Sequence, residues 1–187
     1  MAGTLTVQTL QGPSTGTNAN KVLLASGNTL VAPGHVVQVQ STNYGSRLTS
    51  TSSTMIATSC SVSITPTSSS SKILISATVL GSSQDGYSMF WQVRRGTSTV
   101  VVPNTTQTLG SRIESYMIYP NSDSNVSRTN SATYLDSPAT TASTTYTIYV
   151  KGQSGAGFSL NGSYANADNS AYGHAGSSTI TVMEIAQ

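Results

Sequence analysis

The chain has 187 residues, of which only 7% are charged, and Ser and Thr account for about a third of them. Its net charge of +2, with no Lys/Arg cluster beyond Arg94-Arg95, argues against the basic stripe by which nucleic-acid binders displace counterions. Low charge combined with recurring Thr, Val and Ile and nine Tyr is strand material, not the charged, aromatic-poor composition of a disordered chain.

Residues 1–34 read as short apolar pieces broken by Gly12-Pro13, Gly16, Gly27-Asn28 and Pro33-Gly34. None of the pieces can bury a core alone, and no heptad repeat supports a coiled-coil stem. The segment is expected to be an attachment arm or shared stem, with Leu5, Val7, Leu10, Val22, Leu23 and Leu24 as its docking side chains. The opening residues Met1-Ala-Gly-Thr-Leu5 have neither a basic region nor an apolar run, so a secretory signal is not expected. No stretch reaches transmembrane length, and membrane insertion is not expected.

From residue 35 the pattern changes to strands at regular spacing. Strands are predicted over 35–40, 55–65, 72–80, 88–94, 99–102, 112–119, 132–135, 144–150, 157–160 and 179–186. Arg95-Gly96-Thr97-Ser98 reads as the turn of a hairpin. In the second strand Ile56, Cys60, Val62 and Ile64 share one face, which makes the single cysteine a core thiol. Glu114 and Glu184 fall inside predicted strands, on faces turned to solvent or to another subunit. Phe90 and Trp91 are adjacent on a strand and therefore face opposite sides. Eight to ten short strands in about 150 residues predict an all-β, antiparallel, jelly-roll-like sandwich over 35–187.

Little in the sequence supports catalysis. A Ser or Cys hydrolase needs an activating His and an orienting carboxylate, and only His35 and His174 are present. Gly152-Gln-Ser154-Gly-Ala156 lacks the final glycine and the following helix of a nucleophile elbow. The six acids, Asp85, Glu114, Asp123, Asp136, Asp168 and Glu184, show no pairing that marks a glycosidase. Asn121-Ser-Asp123-Ser-Asn125 spaces oxygen groups by two, but it lacks the central Gly and terminal Glu of a calcium loop. The expectation is a non-enzyme with no cofactor and no metal.

Binding remains. The loops at 81–87, 120–130 and 152–176 are the longest or most Asn/Gly/Ser-rich interruptions of the strand pattern, and loops carry recognition. Tyr87, Tyr164, Asp168, Tyr172 and His174 are the candidate receptor-contact residues. Tyrosine among small polar residues offers rigid amphipathic area at low entropic cost.

Gly3-Thr-Leu-Thr-Val-Gln-Thr-Leu-Gln-Gly12, Ser26-Gly-Asn-Thr-Leu30 and Ala32-Pro-Gly-His-Val-Val-Gln-Val39 resemble the N-termini of short virion fibre proteins of marine and freshwater phages. Thr65-Pro66, Ser71-Lys-Ile-Leu-Ile75 and Ser178-Thr-Ile-Thr-Val-Met-Glu-Ile-Ala186 resemble the body of the same group. The resemblance implies a particle component with an N-terminal attachment segment and a β-rich head, commonly trimeric. Its partners would be two further copies of itself, a capsid or tail protein bound through residues 1–34, and a host-surface glycan or protein. Its place would be the virion surface, reached by assembly in the host cytoplasm. Two alternatives stand beside this fibre: a capsid decoration or cement protein, and a free carbohydrate-binding lectin.

Overall fold

The structure, a computed structural model, describes residues 14–17, 32–119, 123–168, 171 and 173–187. The chain divides into two units, Met1–Ala32 and Pro33–Gln187. The docking side chains expected at Leu5, Val7, Leu10, Val22, Leu23 and Leu24 lie outside the described residues.

The second unit is all-β. Its strands are β1 (Val36–Tyr44), β2 (Leu48–Ser50), β3 (Ile56–Ile64), β4 (Lys72–Ser83), β5 (Met89–Arg95), β6 (Thr99–Val102), β7 (Tyr116–Ile118), β8 (Arg128–Asp136), β9 (Thr144–Gly152), β10 (Phe158–Leu160) and β11 (Ser178–Ile185). One sheet, A, runs β1-β11-β4-β10-β2 with β8 also paired to β4, and the other, B, runs β3-β9-β5-β6 with β7 also paired to β5. All pairings are antiparallel. Among the described residues no helix is long and apolar enough to cross a membrane.

Six of these strands are the pieces of three longer, interrupted ones. Along one edge of β4, β11 pairs with 72–78 and β10 with 81–83, while β8 takes the other edge. Likewise β6 pairs with 93–95 and β7 with 89–91 on one edge of β5. On the far side of β10 and β11, β2 and β1 continue each other. Rejoining the split strands gives two four-stranded sheets, β1/β2–β10/β11–β4–β8 and β3–β9–β5–β6/β7, the order of a jelly roll. This is the predicted fold class, and the interruptions explain why eleven strands appear where eight to ten are expected. They also create two insertions, 103–115 inside β6/β7 and 161–177 inside β10/β11.

The alternating faces meet as the pattern predicts. Ile73, Ile75, Ala77 and Val79 of β4, Ile180 and Val182 of β11 and Phe158 and Leu160 of β10 face Cys60, Val62 and Ile64 of β3, Met89, Trp91 and Val93 of β5 and Tyr146, Ile148 and Val150 of β9. Trp91 is fully buried and its ring lies 5.2 Å from that of Tyr116, while Phe90 is half-buried on the opposite face. Cys60 is buried, its thiol donates to the Ser178 carbonyl at 3.7 Å, and burial pushes it up to about 11. At ordinary pH it is a protonated core group, not a nucleophile.

Several expectations are corrected. Residues 112–115 are not strand: the Arg112 amide closes a turn on the Leu109 carbonyl at 2.9 Å, and β7 begins only at Tyr116. Glu114 therefore precedes the strand, where its Oε1 accepts the Thr105 amide at 2.8 Å. Residues 81–83 belong to β4 and 128–130 to β8, so the loops at 81–87 and 120–130 are shorter than predicted. Glu184 does not face solvent. It continues the inward face of Ile180 and Val182 and is fully buried, where its carboxylate accepts Gln38 Nε2, the Thr67 amide and Thr67 Oγ1, each at 2.7 Å. Burial alone would raise its pKa; these hydrogen bonds and one from Ser71 outweigh burial and hold it below the ordinary glutamate value.

Candidate functional site

The strands give the body two unlike ends. Pro33 leads into β1 beside the end of β11, where the Gly34 amide donates to the Ala186 carbonyl at 2.8 Å and the Ala186 amide to the His35 carbonyl at 2.9 Å. Both termini of the body thus lie at one end, called proximal below. At about 3.3 Å per residue, β4 carries the chain roughly 36 Å from there to the distal end.

The three loops singled out in the sequence meet at that distal end. The Ser82 hydroxyl donates to the Val126 carbonyl at 2.7 Å and accepts the Tyr164 amide at 3.1 Å. The Ala165 amide donates to the Ser124 carbonyl at 3.0 Å. The Gln84 amide donates to the Gly157 carbonyl at 2.8 Å, and the Gly157 amide returns to Gln84 Oε1 at 3.3 Å. The turn Gln153–Gly155 is held to the same place, its Gln153 amide on the Ser88 carbonyl at 2.9 Å and its Oε1 on the Ser88 amide at 3.0 Å. Arg47 ties in the β1–β2 connection by donating to the carbonyls of Ser163 at 3.1 Å and Tyr164 at 3.0 Å.

Asn161 sets the root of the long insertion. It adopts a positive φ of 62°, a conformation asparagine tolerates better than most residues. Its Nδ2 donates to the carbonyls of Tyr44 at 2.7 Å and Ser46 at 2.9 Å, and its Oδ1 accepts Ser178 Oγ at 2.7 Å. A bridge between Gly162 and Ala175 closes the neck.

The predicted contact residues occupy unequal positions. Tyr87 is 40% exposed in the β4–β5 turn, its amide on the Gln84 carbonyl at 3.1 Å. Tyr164 is half-buried and its phenol lies over Gly157, where any β-carbon would collide with it. It is a packing residue of the distal end as much as a contact residue. Asp168 and His174 are exposed within the insertion, and Tyr172 lies outside the described residues. In the β7–β8 loop Asp123 Oδ1 accepts the Asn125 amide at 2.8 Å and Nδ2 at 2.9 Å, a local turn. Among the described residues no group of three His, Cys, Asp or Glu side chains is placed to share a metal ion. His35 and Ser154 fall at opposite ends of the body, so the structure does not bring this pair together.

Two features escaped the sequence reading. One is a buried polar network at the proximal end. Arg95 Nη1 reaches both Asp136 oxygens, at 3.1 Å and 2.9 Å, and the Tyr146 hydroxyl donates to Asp136 Oδ2 at 2.7 Å. Burial, and then the Asp136 carboxylate that holds its proton, push the Tyr146 phenol far above its ordinary range. The network links β5, β8 and β9 across the sandwich.

The other is the outer face of sheet A. Register places Val39 opposite Met183, Met183 opposite Leu74 and Leu74 opposite Leu135, an apolar row across four strands with Val39 50% and Leu135 43% exposed. The rows beyond it read Ser41-Thr181-Ser76-Thr133 and Asn43-Thr179-Thr78-Ser131. None of these twelve positions is charged.

No protein-family model matches the chain, and no curated protein matches its sequence.

Proposed function

We propose that this chain is a structural protein of a tailed-phage particle, a trimeric surface fibre or spike docked through residues 1–34 and presenting its β-sandwich for host attachment. The observation that carries this reading is the polarity of the body. The chain enters it at the proximal end, and the three recognition-type loops are fastened together at the distal end. A protein held by its N-terminal segment would turn those loops away from its anchor.

The uncharged outer face of sheet A supports self-association. A closed symmetric assembly would cover this apolar row and its flanking hydroxyls without placing like charges together. The same uncharged face favours a second reading, a decoration protein lying sheet-down on a capsid shell. In either role the protein performs no chemistry of its own.

Deleting residues 1–32 tests the anchor. The truncated protein is expected to remain soluble and β-rich by circular dichroism, because its core side chains all lie between Tyr44 and Val182. It is also expected to be absent from purified particles. Normal incorporation of the truncated protein would show that the anchor lies in the body.

A further inference from the structure

The 103–115 insertion folds over the outer face of sheet B. There it forms a depression of about 360 Å³ lined by Phe90, Ser111, Arg112, Ile113 and Ser115, within the range of small-molecule sites. The Phe90 ring forms part of the lining, and the Lys151 ammonium lies over that ring, 5.5 Å from its centroid. Lys151 stands directly across from Phe90 in the β5–β9 register. Two residues back along β9, the Tyr149 ring carries the Arg94 guanidinium 4.3 Å from its centroid.

Neither Arg112 nor Lys151 is in an ion pair among the described residues. Among the described residues the ion pair is Arg95–Asp136, on the other side of the sheet. Arg112 donates to the carbonyls of Leu109 at 3.1 Å and Thr108 at 2.6 Å and to Gln107 Oε1 at 3.4 Å. All of these acceptors are neutral, so they fix the guanidinium in place without cancelling its charge. The neighbouring acid, Glu114, is turned to the Thr105 amide. A rigid aromatic ring, an apolar Ile113 wall that is 42% exposed, two serines and Arg112 therefore line one depression, and Lys151 flanks it over the Phe90 ring.

We propose that this depression binds a carboxylate-bearing sugar unit of an acidic polysaccharide. The apolar face of a pyranose would lie on Phe90 and Ile113, its hydroxyls would meet Ser111 and Ser115, and its carboxylate would sit between Lys151 and Arg112. A nucleic acid fits less well, because Arg94, Lys151 and Arg112 are three cations without the continuous basic stripe that a phosphate backbone needs. Phe90 and Lys151 lie at the start of β5 and the end of β9, the distal end of the body, beside the Ser88–Gln153 contacts. The inference rests on the reading of that end as the presented one and adds the chemical class of what it meets.

The test is direct binding of the purified full chain to polygalacturonate, with neutral dextran and oligo-dT as comparisons. Saturable binding to polygalacturonate, absent for dextran, is expected to weaken about tenfold in Lys151→Gln and in Phe90→Ser, as loss of one charge-assisted or stacking contact implies. It is also expected to weaken with added salt. Lys151→Gln alters a side chain on the outer face of its strand, so its fold is expected to match the parent by circular dichroism. No binding to polygalacturonate, undiminished binding by both variants, or tighter binding of oligo-dT would each overturn the proposal. The particle-anchoring reading is judged separately, by whether the chain lacking residues 1–32 still joins particles.

Discussion

Replacing Trp91 with alanine is expected to destabilise the body by about 3–5 kcal/mol, the range for emptying a large aromatic site in a packed core. Trp91 lies at the centre of β5 with no exposed surface, between Met89 and Val93 on the same face. Its removal opens both the gap between the sheets and the seat of the Tyr116 ring. Set against a typical domain stability of roughly 5–15 kcal/mol, such a loss is a large fraction of the whole. Trp91→Phe is expected to cost much less, about 1–2 kcal/mol, because it keeps an aromatic ring and removes an indole N–H that has no hydrogen-bond partner in the structure. Urea denaturation of the three proteins at equal concentration checks this. Equal losses for alanine and phenylalanine would mean that the indole nitrogen, not ring volume, matters at this position.

Glu184→Gln is expected to cost roughly 2–3 kcal/mol near neutral pH, the scale of hydrogen bonds to a charged group. The carboxylate receives donors on both oxygens, from Gln38 on one and from Thr67 on the other. An amide keeps one acceptor and presents an N–H₂ group to a donor on the other side. The pH dependence has a definite sign. The folded pKa is held below the ordinary value of 4.5, so the ionised group adds stability that is fully present above that value. The contribution is lost as pH falls through the lower folded pKa. Denaturation midpoints of parent and variant should therefore differ most at pH 7 and converge in acid. A gap that stays constant from neutral into strongly acidic pH would show that the Glu184 charge is not what stabilises this corner.

Much of the fold was legible because β4 and β11 carry their core side chains at alternate positions. Ile73, Ile75, Ala77 and Val79 announce a buried face, and Arg95-Gly96 announces a turn that the structure makes with Gly96 at a φ of +62°. The interrupted strands were not legible in the same way. β2 is three residues with one apolar side chain, Leu48, too short to show a period. Residues 112–115 carry Ile113 in apparent phase with a strand, yet they follow the turn closed by Arg112 on Leu109, and only Tyr116–Ile118 pair with β5. Glu184 could have been found from its phase with Ile180 and Val182. A lone acid in an otherwise regular strand reads instead as an outer-face residue.

The distal loops could be picked out by composition, but their convergence could not, since it depends on the order in which the strands pair. Ser82, Val126 and Tyr164 meet because β4 ends where β8 begins and where β10 hands the chain to its insertion. The depression on sheet B was hidden for the same reason. Phe90, Arg112 and Lys151 are far apart in sequence, and only the antiparallel pairing of β5 with β9, together with the 103–115 insertion, puts them side by side.

The most direct test of the central claim is imaging of purified particles that carry a small protein label inserted in the distal turn between Asp85 and Gly86, both exposed. A C-terminal label would not serve, because Ala186 sits at the proximal end beside Gly34. The fibre account predicts label density at the outer tip of a projecting feature, in three copies about its axis, with unlabelled density between it and the particle. Label density flat against the shell, in any other number of copies, or absent from purified particles would contradict it.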